Sequence, residues 1–132
     1  MVDVGAKQVT ARRALAQGYV SLAPETYALV KNNEVPKGDV LAAARIAGIM
    51  AAKRTPDLIP LCHQVSLSSV TVHLELRDKD RSIRITAEAK ATDQTGVEME
   101  ALTAVTIAGL TVYDMLKSMD RNIALGPFTL LE

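Results

Sequence analysis

The spacing of apolar positions changes several times along this chain, and each change predicts an element. From Val97 to Asp120 apolar residues run almost without interruption, which predicts one long helix with ionisable groups only near its ends. Glu98 and Glu100 open it, and Asp114 and Lys117 nearly close it. At about 100° per residue Glu100 and Asp114 fall within roughly 40° of each other, with Thr103, Ile107 and Leu110 on or beside the stripe that joins them. A carboxylate on an apolar stripe is costly to bury unless something pairs with it or uses it, so both acids point to a catalytic site. Val105, Val112 and Leu116 lie on the side away from Ile107. A helix apolar all round is covered on both sides, and a small domain has little left for the second side. A partner subunit is the expected cover, which predicts a homo-oligomer.

The alternation of Val70, Val72, Leu74 and Leu76 makes Ser66 to Leu76 a strand, and Ile83, Ile85, Ala87 and Ala89 do the same for Arg81 to Ala91. Asp78-Lys79-Asp80 between them reads as a hairpin turn. Upstream, Val9 to Leu22 mixes Arg with apolar residues and predicts an irregular strand, followed by a short helix from Pro24 to about Lys31. Pro36-Lys37-Gly38-Asp39 forms a turn, with Asp39 as N-cap of an Ala-rich helix from Val40 to about Arg54. Thr95-Gly96-Val97-Glu98 matches the Thr-x-x-Glu capping box at the start of the long helix. Asn122 to Leu131 supplies a last short strand around Gly126-Pro127. Strands and helices segregate, so the chain reads as one antiparallel α+β domain spanning residues 1–132.

Charge and composition narrow the partners. Lys and Arg number 15 and Asp and Glu also 15, so no global field favours nucleic acid or an anionic membrane. Aromatic content is 3%, and Tyr19, Tyr27, Tyr113 and Phe128 are not spaced as a base-stacking platform. The single cysteine, Cys62, cannot form an internal disulfide, and neither a signal-peptide pattern nor about 18 uninterrupted apolar residues is present. A cytoplasmic, reduced setting is expected.

Three groups of residues carry candidate chemistry. Asp114 and Lys117, three apart, make either an ordinary helical ion pair or a proton-transfer pair. Leu61-Cys62-His63 ends an apolar run just before a strand. Metal binding is weakly supported there, because only His73 and carboxylates could complete a set, so no metal is expected. A Cys nucleophile and a buried Cys beside a hydrogen-bonded His both remain open. Arg12, Arg13, Lys37, Lys53 and Arg54 are the third group: Lys37 abuts a helix N-terminus, and Lys53-Arg54 ends the same helix just before the Cys-His segment. The nucleotide-binding runs Gly-x-x-x-x-Gly-Lys-Ser/Thr and Gly-x-Gly-x-x-Gly are absent.

Met1-Val2-Asp3-Val4, Thr10-Ala11-Arg12, Lys37-Gly38-Asp39-Val40, the run from Ala44 to Thr55, Leu58 to His63 and Gly96 to Thr103 occur in order over nearly the whole chain. Together they resemble molybdenum cofactor biosynthesis protein C, the cyclic pyranopterin monophosphate synthase family. The resemblance implies a ferredoxin-like antiparallel sheet packed on helices, assembled as a homohexamer, a trimer of dimers, and working after a radical SAM GTP cyclase. It implies a small-molecule substrate, 3′,8-cyclo-7,8-dihydroguanosine 5′-triphosphate, converted to cyclic pyranopterin monophosphate with release of pyrophosphate, and no cofactor. The family's active-site acid falls on Asp114 and its catalytic lysine on Lys117. Leu61-Cys62-His63 and Met99-Glu100 match substrate-contacting segments, and Lys37, Lys53 and Arg12 match further positions around that pocket.

Such chemistry needs protons moved, a task for Asp114, Lys117 and His63, and cations beside a leaving pyrophosphate, a task for Lys53, Lys37 and Arg12. Two departures from the family pattern stand out: Gln64-Val65 follows His63 where Pro-Leu is usual, and both ends are short, which predicts weaker affinity if such ends close over the pocket. The rival reading is a non-catalytic ferredoxin-like oligomeric module that binds or senses a nucleotide. Glu100 and Asp114 stand roughly 21 Å apart along one helix axis, so a site that uses both predicts two chains.

Overall fold

The computed structural model describes residues 1–132. In chain order the elements are β1 (Thr10–Ser21), α1 (Pro24–Lys31), α2 (Val40–Lys53), α3 (Thr55–Leu58), β2 (Leu67–Arg77), β3 (Ser82–Asp93), α4 (Glu98–Leu116), β4 (Ala124–Leu125) and β5 (Thr129–Leu130). The sheet runs β2-β3-β1-β4, with β5 also on β1, and every pairing is antiparallel. This is the ferredoxin-like α+β arrangement, two crossovers placing α2 and α4 on one face of the sheet.

Period two decides which face they cover. Ala14, Ala16 and Val20 of β1 and Ile83, Ile85, Ala87 and Ala89 of β3 are buried under the helices. The other face carries Arg13, Tyr19, Glu75, Arg84 and Glu88, tied by Arg13 Nε to Glu88 Oε2 at 2.5 Å and Arg84 Nη2 to Glu75 Oε2 at 3.1 Å. Small residues set how closely the layers approach. Gly48 of α2 lies against Ala104 and Ala108 of α4, where an added Cβ would stand 2.9 Å from the Ala104 carbonyl oxygen, and Ala44 and Ala101 are fully buried on the same two helices. The Phe128 ring fills the space that Gly18 and Gly109 leave open.

Four expectations need correction. β1 is regular: it pairs with β3 from Thr10 opposite Asp93 to Ser21 opposite Ser82. Its inward residues are mostly alanine and glycine, so alternation in size is weak although alternation in burial is complete. The capping box does not form, since α4 begins after Val97 with no side-chain cap, and it ends at Leu116 rather than Asp120. The last strand is two short pieces, β4 and β5, either side of Gly126, whose φ of +101° turns the chain. The helix start at Asp39 holds, for its Oδ1 accepts the Ala42 N–H at 3.1 Å.

By length and hydropathy α4 alone is apolar enough to cross a membrane. Here it is the core helix, with Ala101, Ala104, Val105, Ala108, Val112 and Leu116 wholly buried. Its remaining stripe behaves differently. Thr103 is buried and Ile107 partly so, but Leu110 is 51% exposed.

Candidate functional site

At the N-terminal end of α4 a cavity of about 150 Å³ is lined by Cys62, His63, Thr95, Gly96, Glu98, Met99 and Glu100. Two loops build it: the one leaving α3 supplies Cys62 and His63, and the one leaving β3 supplies Thr95 and Gly96 before α4 presents its first turn. Glu100 is the buried acid that the pattern requires, at 2% exposure. Burial pushes its carboxyl above the ordinary range, and the charges of Glu98 and Asp93 push the same way. Such a group holds a proton more readily than a surface glutamate. Burial also raises the Cys62 thiol, and Glu100 adds to it, so Cys62 is kept as thiol and the nucleophile reading loses support. His63 Nε2 meets the Val2 carbonyl, while Leu61 is exposed and does not line the cavity.

Asp93 joins the two loops. Its Oδ2 accepts the Ser66 N–H at 2.8 Å and its Oδ1 accepts the Gln94 N–H at 2.7 Å. These two amides chiefly hold its carboxyl below the ordinary range, against some desolvation, with Arg12 and His63 adding attraction. Arg12, expected among the cations that hold substrate, is bonded inward: its Nε donates to the Asp93 carbonyl at 3.2 Å, and its Nη2 to the carbonyls of Gln94 at 3.3 Å and Gln8 at 3.4 Å.

The other end of α4 carries a separate cluster. Lys117 Nζ lies 3.1 Å from Asp114 Oδ1, and Lys37 Nζ lies 3.5 Å from Asp114 Oδ2 and donates to the Asp114 carbonyl at 3.1 Å. Gly38, at φ +119°, makes the turn that swings Lys37 across the helix end, where a cation also meets the negative end of the helix dipole. Lys117 chiefly, then Lys37, holds Asp114 below the ordinary carboxylate range. Asp114 is not the second buried acid that the stripe predicts, because its side chain is 58% exposed. The buried acid near this end is Asp120, whose oxygens accept the N–H groups of Ala23 at 2.9 Å and Asn122 at 2.8 Å. Burial alone would raise it, but those amides, with Thr26, hold it low. That role is structural.

The fold thus unites Cys62, His63, Met99 and Glu100 at one end of α4, and Lys37, Asp114 and Lys117 at the other. It leaves the two groups apart within one chain. Lys53 ends α2 and forms no ion pair with a neighbour. Sequence reasoning missed Glu98, Thr95 and Gly96 as cavity walls, since a capping box accounted for them. It missed Asp93 altogether, because a strand-end aspartate resembles any turn residue.

Between the two ends lies an apolar surface. A groove of about 430 Å³ runs between Ala47, Met50, Ala51 and Leu58 and reaches Ile107 of α4. A second, of about 260 Å³, continues past Ile59, Leu102 and Thr106 to Met99, which also lines the cavity. Ile46, Met50, Leu58 and Leu110 stand more than half exposed around them. The strip is thus exposed apolar surface lying directly beside a polar cavity.

A ferredoxin-like domain with acids, a histidine and lysines gathered at the two ends of its core helix defines a class: an acid–base enzyme acting on a small anionic molecule. The chain belongs to the MoaC family, whose model matches residues 1–132. Three relatives are each called cyclic pyranopterin monophosphate synthase. That of Streptomyces coelicolor is 58% identical over 122 residues, covering 92% of this chain and 71% of its own length. That of Thermomicrobium roseum is 54% identical over 132 residues, covering 100% and 80%. That of Chloroflexus aurantiacus is 53% identical over 131 residues, covering 99% and 80%.

Proposed function

We infer that this chain is a cyclic pyranopterin monophosphate synthase, a lyase of molybdenum cofactor biosynthesis. It converts 3′,8-cyclo-7,8-dihydroguanosine 5′-triphosphate to cyclic pyranopterin monophosphate and releases pyrophosphate. The observation that carries this is identity above 50% over essentially the whole chain to relatives bearing that enzyme's name. The non-catalytic rival gains nothing from these likenesses.

The roles follow from the chemistry of the two clusters. Rebuilding a purine ring as a pterin needs groups that give and take protons, and His63 beside a proton-retaining Glu100 is suited to the ring end. Asp114, held ionised by Lys117 and Lys37, is suited to accept a proton where the phosphate ring closes. Lys37 and Lys53 bring positive charge toward the leaving pyrophosphate in a chain whose net charge is zero, while Arg12, turned onto the carbonyls of Asp93, Gln94 and Gln8, braces the loop instead. Cys62 and Met99 shape the wall against which the base lies, with Leu61 exposed next to Cys62 in the same loop.

A complete site is assembled from two chains. The separation of roughly 21 Å between Glu100 and Asp114 along α4 exceeds what one ring system spans, and the apolar strip between them is what a second copy would cover. We therefore place the Glu100 end of one protomer against the Asp114 end of its neighbour, in a homohexamer built as a trimer of dimers. The enzyme works in the cytoplasm, after a radical SAM GTP cyclase that supplies the cyclised nucleotide.

Incubation with that nucleotide, monitored for pyrophosphate and for a fluorescent pterin derivative, tests the reading. Product formation is expected. Saturable binding without product would favour the non-catalytic module.

A further inference from the structure

β2 and β3 part at the cavity. Their ladder pairs Leu67 with Ala91 and then Ser69 with Lys90, so Ser68 is an extra residue that bends β2 away just as it reaches the Cys62-His63 loop. A side chain supplies the connection beyond that bulge. Asp93, the last residue of β3, takes the Ser66 N–H on one oxygen and the Gln94 N–H on the other, at 2.8 and 2.7 Å. One carboxylate therefore holds both walls of the cavity: Ser66 lies three residues after His63, and Gln94 precedes Thr95 and Gly96. Arg12 supports it from β1, bonding the carbonyls of Asp93 and Gln94 at 3.2 and 3.3 Å.

Resting on the synthase reading, we propose that Asp93 is a positioning residue for His63, fixing the imidazole's loop against the Glu100 end of α4. It touches no reacting atom in this role. The job suits a carboxylate, because two N–H donors converge on it. An asparagine offers one oxygen and would turn its own N–H groups toward the second donor. Charge-assisted bonds to backbone amides are also shorter and stronger than neutral ones, which suits a loop that must stay registered while a proton moves.

The test compares Asp93→Ala, Asp93→Asn, His63→Ala and the double variant His63→Ala with Asp93→Ala, all in the full chain. Both Asp93 variants should lower kcat at least about tenfold with KM changed less than about threefold, the pattern of lost orientation rather than lost binding. Amide hydrogen exchange across residues 62–67 should quicken by about tenfold or more while the core of β1 and β3 stays protected. In the double variant kcat should fall no more than about twofold below that of His63→Ala, because Asp93 acts through that histidine. A kcat within about twofold of wild type, losses that multiply in the double variant, or unchanged exchange at residues 62–67 would each overturn the proposal. A wild-type chain that makes no product would instead overturn the synthase reading, and the exchange result would then decide the Asp93 lock by itself.

Discussion

Mixing inactive Glu100→Ala and Asp114→Ala chains should restore activity that neither has alone. The reasoning starts from α4, on which the two residues lie roughly 21 Å apart, so a site using both takes its Glu100 end and its Asp114 end from different protomers. When the two variants are exchanged at equal amounts and assemble at random, about one quarter of such paired sites receive an intact end from each side. Pyrophosphate release should therefore recover to about one quarter of the wild-type rate, and native mass spectrometry should show mixed oligomers. A site complete within one chain predicts no recovery at any mixing ratio. Proven subunit exchange with no rate above either parent would refute the two-chain site and, with it, the explanation of why acids stand at both ends of one helix.

Three further outcomes follow from the same structure. Asp114→Ala and Lys117→Ala should each abolish turnover while sedimentation shows the wild-type oligomer; wild-type rates in both would sink their assignment. Burial raises Glu100 above its unfolded value near 4.5, so the folded chain binds that proton more tightly, and its contribution to stability is complete below that value and lost as pH rises through the folded one. Glu100→Gln should accordingly raise Tm more at pH 7.5 than at pH 4.5, and an equal or reversed difference by differential scanning calorimetry would contradict that. Gly48→Ala should destabilise by a net 1–2 kcal/mol or so, roughly 4 to 7 °C in Tm, because the new Cβ meets the Ala104 carbonyl oxygen at 2.9 Å and overpacking outweighs the gain in helix propensity.

The amino-acid sequence by itself determined the two-layer α+β domain, its hairpin β2–β3, the Asp39 cap and the core helix α4. Each rests on local periodicity or a local cap, which a chain carries in its order of residues. It also marked Glu100 as an acid needing a use, and the ordered motifs marked the family. Tertiary structure alone decided what the acids are. Glu100 and Asp114 share a helical stripe, yet one is buried against the cavity and the other lies in solvent between two lysines, because burial depends on what packs across the stripe and not on the stripe itself. Only the fold could turn Glu98 from a presumed cap into a cavity wall, direct Arg12 inward onto backbone carbonyls, and bring Asp93 to Ser66 from 27 residues away. Those contacts arise when β3 returns beside β2, a juxtaposition that no spacing along the chain encodes.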